Sequence, residues 1–177
     1  MDIKTLTPNL SVSPQVLVCE MQALAQAGFK AIICNRPDGE GPDQPTFKEV
    51  ELAATQYGLQ AVYLPAEVGK VREEDSQVFG QLLHTLPGPV LAYCRTGMRS
   101  TTLWALSRAG VTPLPYILEA AHKLGFDMKA LVQRIANGGK TPAHQAIGLG
   151  LAPERAAIAS GLVLKGSKCP AQPEMVG

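Results

Sequence analysis

No stretch of this 177-residue chain approaches the roughly 18 consecutive apolar residues that a membrane span requires. Net charge is nearly absent: 16 Lys and Arg against 15 Asp and Glu leave +1. That excludes the broad basic surface of an electrostatically driven nucleic-acid binder or of a membrane-surface protein. No Cys-x-x-Cys pair occurs, the four cysteines (Cys19, Cys34, Cys94, Cys169) lie far apart, and the three histidines (His84, His122, His144) are isolated. Neither a structural zinc site nor a disulfide framework is therefore expected. A nucleotide fingerprint is missing too, so the expectation is no metal and no organic cofactor. The opening residues, Met1-Asp2-Ile3-Lys4-Thr5, lack the basic end and apolar stretch of a secretory leader. A cytoplasmic protein is the resulting expectation. What is present is 46% hydrophobic residues, enough for one sizeable core, with 17 Gly and 14 Pro spread along the chain rather than gathered in one block.

Three short apolar runs read as buried strands, at 31–34, 61–64 and 90–94. Their spacing of about 30 residues is that of a strand-helix-strand unit. The segments between them carry helix signals. Thr46-Phe47-Lys48-Glu49 fits a capping box, followed by Phe47, Val50, Ala54 and Tyr57 toward the core and a stop at Gly58. Glu73-Glu74-Asp75 opens the next helix, with Val71, Val78, Leu82 and Leu86 inward and Pro87-Gly88-Pro89 at its end. An earlier helix over 20–27 closes at Gly28. Continuously apolar strands alternating with helices predict an α/β fold, a central, mostly parallel sheet covered on both faces. Beyond Gly110 the strand signal stops: a helix from Thr112-Pro113 to Gly125, another from Asp127 to Asn137, and two more starts at Thr141-Pro142 and Pro153-Glu154. The expected division is 1–137 as the domain, 138–161 as a helical C-terminal extension and 162–177 as a loose tail.

One segment carries chemistry: Val90-Leu91-Ala92-Tyr93-Cys94-Arg95-Thr96-Gly97-Met98-Arg99-Ser100. A strand ends on a cysteine, a short loop with two arginines and a glycine follows, and a helix begins. In an open parallel sheet, ligands bind beyond the carboxyl ends of the strands, where Cys94 falls. The amides of Arg95, Thr96, Gly97, Met98, Arg99 and Ser100 can curl around its sulfur, with Gly97 supplying the positive φ such a curl needs. The helix start and the two arginines favour thiolate over thiol. A thiol of pKa about 8.5 is only a few per cent ionised at neutral pH, whereas one of about 6 is mostly thiolate. The expectation is a nucleophile, Cys94, in an anion cradle closed by Arg99. Arg36, Asp38 and Glu40, just past the first of the three strands, belong on the same sheet edge and are candidate rim residues, against the alternative of a structural Arg-Asp turn. Cys19 and Cys34, among apolar neighbours, read as inert, and Trp104 as core.

The four residues between Cys94 and Arg99 resemble the active-site loop of rhodanese-type sulfurtransferases. They resemble less well the loop of cysteine-dependent tyrosine phosphatases, which spaces cysteine and arginine by five and would put Ser100 at the arginine's place. Tyr93 stands where those phosphatases carry histidine, and no single aspartate presents itself as a leaving-group acid; Glu67, Glu73, Glu74 and Asp75 read equally well as surface. The wider chain, over about 3–135, is similar to the family called beta-lactamase hydrolase-like protein, phosphatase-like domain, whose members are also labelled sulfur transferases. The likeness rests on Leu10-Ser11-Val12-Ser13-Pro14-Gln15, Gly28-Phe29-Lys30, Asn35-Arg36-Pro37-Asp38-Gly39-Glu40 and the Cys94 loop. It implies a dual-specificity-phosphatase-like fold with extra C-terminal helices. Some members of the family are fused to a persulfide dioxygenase, which here implies a separate partner chain.

The reading that follows is a cysteine-dependent sulfurtransferase. A small-molecule sulfur donor would load a persulfide on Cys94, stabilised by the loop amides, Arg95 and Arg99, and a thiol acceptor would remove it. The alternatives are a cysteine-dependent phosphatase working through phosphocysteine, favoured by the fold resemblance and disfavoured by loop length, and a non-enzymatic sulfur carrier or redox sensor.

Overall fold

The computed structural model describes residues 1–138 and the backbone of Leu162–Val163. Its sheet has six strands: β1 (Asp2–Thr7), β2 (Leu10–Ser13), β3 (Ala31–Cys34), β4 (Gln60–Tyr63), β5 (Val90–Tyr93) and β6 (Leu162–Val163). They lie in the order β4-β3-β5-β2-β1-β6. From β4 to β2 all neighbours are parallel, while β1 runs antiparallel to both β2 and β6. The sheet is therefore mixed, with a parallel centre as the apolar runs predict.

The side chains of β3 and β5 alternate between two cores. Ile33, Val90 and Ala92 join Phe79, Leu103 and Ile117 on one face, whereas Ile32, Leu91 and Tyr93 join Met21, Leu24 and Val50 on the other. Both faces are covered, so these strands have no solvent side and read as continuous apolar runs. Helices α1 (Met21–Gln26) and α2 (Phe47–Gln56) cover the second face. The first is covered by α3 (Glu73–Thr85), α4 (Met98–Ser107), α5 (Leu114–Lys123) and α6 (Val132–Ala136).

The capping box before α2 is present: the Thr46 hydroxyl accepts from the Glu49 N–H at 3.3 Å, and Glu49 Oε2 accepts from the Thr46 N–H at 2.7 Å. Thr46→Ala is expected to cost about 1 kcal/mol. On a domain of this size that is a fall of about 2–6 °C in a thermal melt.

Two predicted inward positions prove exposed, Tyr57 at 44% and Val78 at 41%. Tyr57 follows the last turn of α2, whose buried stripe is Val50, Ala53 and Ala54. Because α3 begins at Glu73, its stripe passes through Ser76, Phe79 and Leu82, and Val78 points away. The hairpin of β1 and β2 has no counterpart among the three predicted strands. In β1 the two buried residues, Ile3 and Leu6, are three apart and enter opposite cores, Ile3 with Met21 and Val50 and Leu6 with Phe79 and Leu103, so the strand shows neither a period-two stripe nor a continuous apolar run.

Cys19 is disulfide-bonded, contrary to the expectation of unlinked cysteines, while Cys34 and Cys94 are free. Of the predicted extension, only Gly138 is described; of the predicted tail, Leu162–Val163, which pair with Asp2 and Ile3 as β6. The rest of both lies outside the described residues. No described helix is long and apolar enough to cross a membrane.

Candidate active site

Cys94 directly follows β5, which lies between β3 and β2, so the loops after β3, β4, β5 and β2 can meet around it. It is 1% exposed. Its N–H donates to the Ser13 carbonyl at 3.4 Å, continuing the β2–β5 pairing one residue past the strand. The Gly97 N–H points back at Sγ, 3.1 Å away. Gly97 has φ +91°, and a Cβ there would stand 3.2 Å from the Phe126 ring and 3.5 Å from the Ser13 carbonyl oxygen, so both conformation and space call for glycine. Helix α4 begins at the next residue, bringing the positive end of its dipole to the loop. Arg95 and Thr96 face solvent, Met98 is half-buried, and Arg99 and Ser100 are buried. Ser100 Oγ has no hydrogen-bond partner among the described residues.

Arg99 is held from two other loops. Its Nη1 donates to Glu40 Oε1 at 2.6 Å and to the Ala66 carbonyl at 2.8 Å, and its Nη2 donates to Glu40 Oε2 at 2.7 Å. Arg36 shares the same carboxylate, with Nε 3.1 Å from Oε2, while its Nη1 donates to Gln15 Oε1 at 2.8 Å. Burial works against a charged Arg99, but hydrogen bonds and charge from Glu40 and Cys94 outweigh it and raise its pKa further. The hydrogen bond from Arg99, aided by Arg36, holds the Glu40 carboxyl below the usual carboxylate range.

Of the three predicted rim residues, two enter this network. Asp38 does not: its N–H donates to the Tyr63 hydroxyl at 2.9 Å and its Oδ1 accepts from the Phe47 N–H at 2.8 Å, which ties the loop to the start of α2. The sequence reading assigned no role to Gln15 or to the carbonyls of Ser13 and Ala66. Gln15 lies within a quoted motif, but a backbone carbonyl leaves no signal in a sequence.

Cys34 is a buried thiol donating to the Arg36 carbonyl at 3.3 Å, and burial pushes its pKa up. Burial, together with Cys34, pushes the Tyr93 hydroxyl up as well, so the tyrosine beside Cys94 stays neutral. Among the carboxylates considered as acids, Asp75 is paired with Arg72 at 2.8 Å and Glu67 with Lys70. Glu67 follows Ala66, the residue whose carbonyl meets Arg99. Among the described residues no group of three His, Cys, Asp or Glu side chains stands close enough to hold a metal ion.

Residues 2–111 match the family described as beta-lactamase hydrolase-like protein, phosphatase-like domain. A "Beta-lactamase hydrolase-like protein" of Agrobacterium fabrum (strain C58) is 34% identical over 104 residues, 59% of this chain. That stretch is 24% of the relative, so the chain spans about a quarter of its length. A crystal structure of a candidate phosphatase from Neisseria meningitidis superposes with TM-score 0.70 at 35% identity, covering 77% of this chain and 97% of that one. The core catalytic domain of a PP-IP phosphatase from S. cerevisiae, at TM-score 0.58 and 15% identity over 75% of this chain and 82% of that one, shares the fold.

These likenesses overturn the expectation of a rhodanese-like sulfurtransferase working through a Cys94 persulfide: family and structural neighbours are phosphatase-like. The physical error lay in the weight given to loop length. One residue fewer between cysteine and arginine turns a side chain by about 100° around a helix, which would re-aim the guanidinium if the loop alone held it. Arg99 nevertheless stays near enough to Cys94 for the sulfur to raise its pKa, and Glu40 and Ala66 set its direction rather than the loop alone.

Proposed function

Because the chain belongs to the beta-lactamase hydrolase-like protein, phosphatase-like domain family, we propose that it is a cysteine-dependent phosphatase acting on phosphate monoesters. The observation that carries the reading is the pairing of Cys94 Sγ with the Gly97 N–H at 3.1 Å, at the start of a helix and beside the buried guanidinium of Arg99. A sulfur placed there would serve as the nucleophile, and the Gly97 N–H directed at it would meet the oxygens of a phosphoryl group bound on the sulfur.

In the first step the Cys94 thiolate attacks phosphorus, a P–S bond forms, and the bond from phosphorus to the ester oxygen breaks. The leaving oxygen takes the electron pair and then a proton from solvent water. Loop amides and Arg99 carry the charge on the three equatorial oxygens, which is the main task in phosphoryl transfer. In the second step water attacks phosphorus, the P–S bond breaks, and the thiolate is restored as inorganic phosphate leaves. Cys94, Arg99 and the amides of the loop to Ser100 are the groups this chemistry uses. Arg95 and Thr96, on the exposed side of the loop, are placed to meet the rest of the substrate.

An aryl phosphate is the substrate with which to test this, since a phenolate departs with little help from an acid. Rapid acid quench during turnover, followed by digestion and mass spectrometry, is expected to find one phosphoryl group on the peptide containing Cys94. Turnover with no phosphorylated Cys94 would reject the covalent route, and absence of turnover on any aryl phosphate would reject the reading.

A further inference from the structure

Arg99 has five N–H donors on a planar group. Three are engaged: one from Nη1 and one from Nη2 meet the two oxygens of Glu40, and the second on Nη1 meets the Ala66 carbonyl. The remaining two, Nε–H and the second N–H of Nη2, lie along one side of the guanidinium, the fork that grips two oxygens of a single anion. Gly97, two residues before Arg99, aims its N–H at Cys94 Sγ at 3.1 Å, and Cys94 is among the groups that raise the Arg99 pKa, so the guanidinium stands beside the cradle with this fork uncommitted.

We infer that Glu40 is a positioning residue, which grips the far edge of Arg99 so that its free two-donor fork faces a phosphoryl group at Cys94. This deepens the phosphatase reading and rests on it. Glu40 sits on a loop between two glycines, Gly39 (φ +78°) and Gly41, and its backbone alone does not fix its direction. Arg36 does. It donates to Glu40 Oε2 from inside the protein, is itself held by Gln15, and lies so close under the loop that a Cβ on Gly41 would come within 2.9 Å of Nη2. A relay thus runs from Gln15 after β2, through Arg36 and Glu40 after β3, to Arg99 at the start of α4. The charges also add up: two arginines and one carboxylate leave +1, so Glu40 orients Arg99 without neutralising the cradle.

The rival role is that Glu40 occupies the anion seat and must be evicted. Donor accounting argues against it, and the two roles predict opposite signs. Tungstate, a tetrahedral dianion, serves as the probe, its binding measured by calorimetry on wild type and Glu40→Gln. Removing a negative charge would by electrostatics alone strengthen anion binding. Positioning predicts the reverse: tungstate affinity falls about tenfold or more and kcat on an aryl phosphate falls by about 10²-fold, as for a reacting group displaced by about 1 Å. Glu40→Ala, which leaves no amide against the guanidinium, is expected to move both in the same direction and decides the matter if the glutamine variant fails to fold. Tighter or unchanged tungstate binding in the folded variants would overturn the inference. Weaker tungstate binding in a protein that proves to hydrolyse no aryl phosphate would leave the positioning role standing and remove the phosphatase reading. Hydrolysis with unaltered tungstate binding would do the opposite.

Discussion

Cys94→Ser is expected to lower aryl phosphate hydrolysis on the order of 10⁴-fold or more while the protein still folds and still binds tungstate. A serine hydroxyl keeps its proton at neutral pH, and Arg99, the charged side chain beside position 94, is no base to remove it. The substitution is small, and the Gly97 N–H that meets sulfur at 3.1 Å can donate to an oxygen at the same place. Because the site is buried, stability is expected to change by no more than about 1–2 kcal/mol. The measurement is kcat/KM on an aryl phosphate beside a thermal melt and a tungstate titration. A serine protein retaining a tenth of the activity would remove Cys94 as the nucleophile. One that loses activity, melting temperature and tungstate binding together would show the damage to be to the fold.

Arg99→Lys is expected to cost about 10²–10³-fold in kcat/KM, although it preserves the charge. Lysine presents three donors from a single nitrogen, and no placement of one ammonium satisfies two oxygens of Glu40, the Ala66 carbonyl and a phosphoryl group together. The planar guanidinium reaches the first three at 2.6, 2.7 and 2.8 Å while keeping a fork free. Arg99 is 6% exposed, so water does not readily replace the lost partners, and leaving a buried carbonyl or carboxylate oxygen short of a donor costs about 1–3 kcal/mol. The loss should therefore appear in two independent readouts, the rate and the melting temperature. A lysine variant with wild-type kcat/KM would mean that charge alone, and not the fork, is what the reaction draws from position 99.

Much of the loop's geometry was legible before any coordinates because it sits within six consecutive residues. A strand running into Cys94, a glycine three residues on and an arginine at position 99 leave few local geometries, and the Gly97 N–H meets the sulfur as that reading requires. The parallel strands were legible for a similar reason: burial on both faces leaves a run of apolar residues with no polar interruption. The β1–β2 hairpin was not, since Ile3 and Leu6 are three apart and enter opposite cores, which leaves neither an alternating stripe nor an apolar run. Nor was the exposure of Val78, because the inward face of a helix depends on where its first turn begins as much as on periodicity.

The sequence by itself determined the alternation of strand and helix, the cap at Thr46 and the turn that brings the Gly97 N–H back to Cys94, all of which rest on interactions between residues at most a few positions apart. Only the tertiary structure decided which way Arg99 faces. That direction is set by Glu40, 59 residues away, and by the Ala66 carbonyl, 33 residues away. Local spacing, taken alone, pointed to sulfur chemistry, because it treated the arginine as if the loop were all that held it. A side chain gripped from two other loops takes its direction from those partners, and no count of residues between cysteine and arginine contains them.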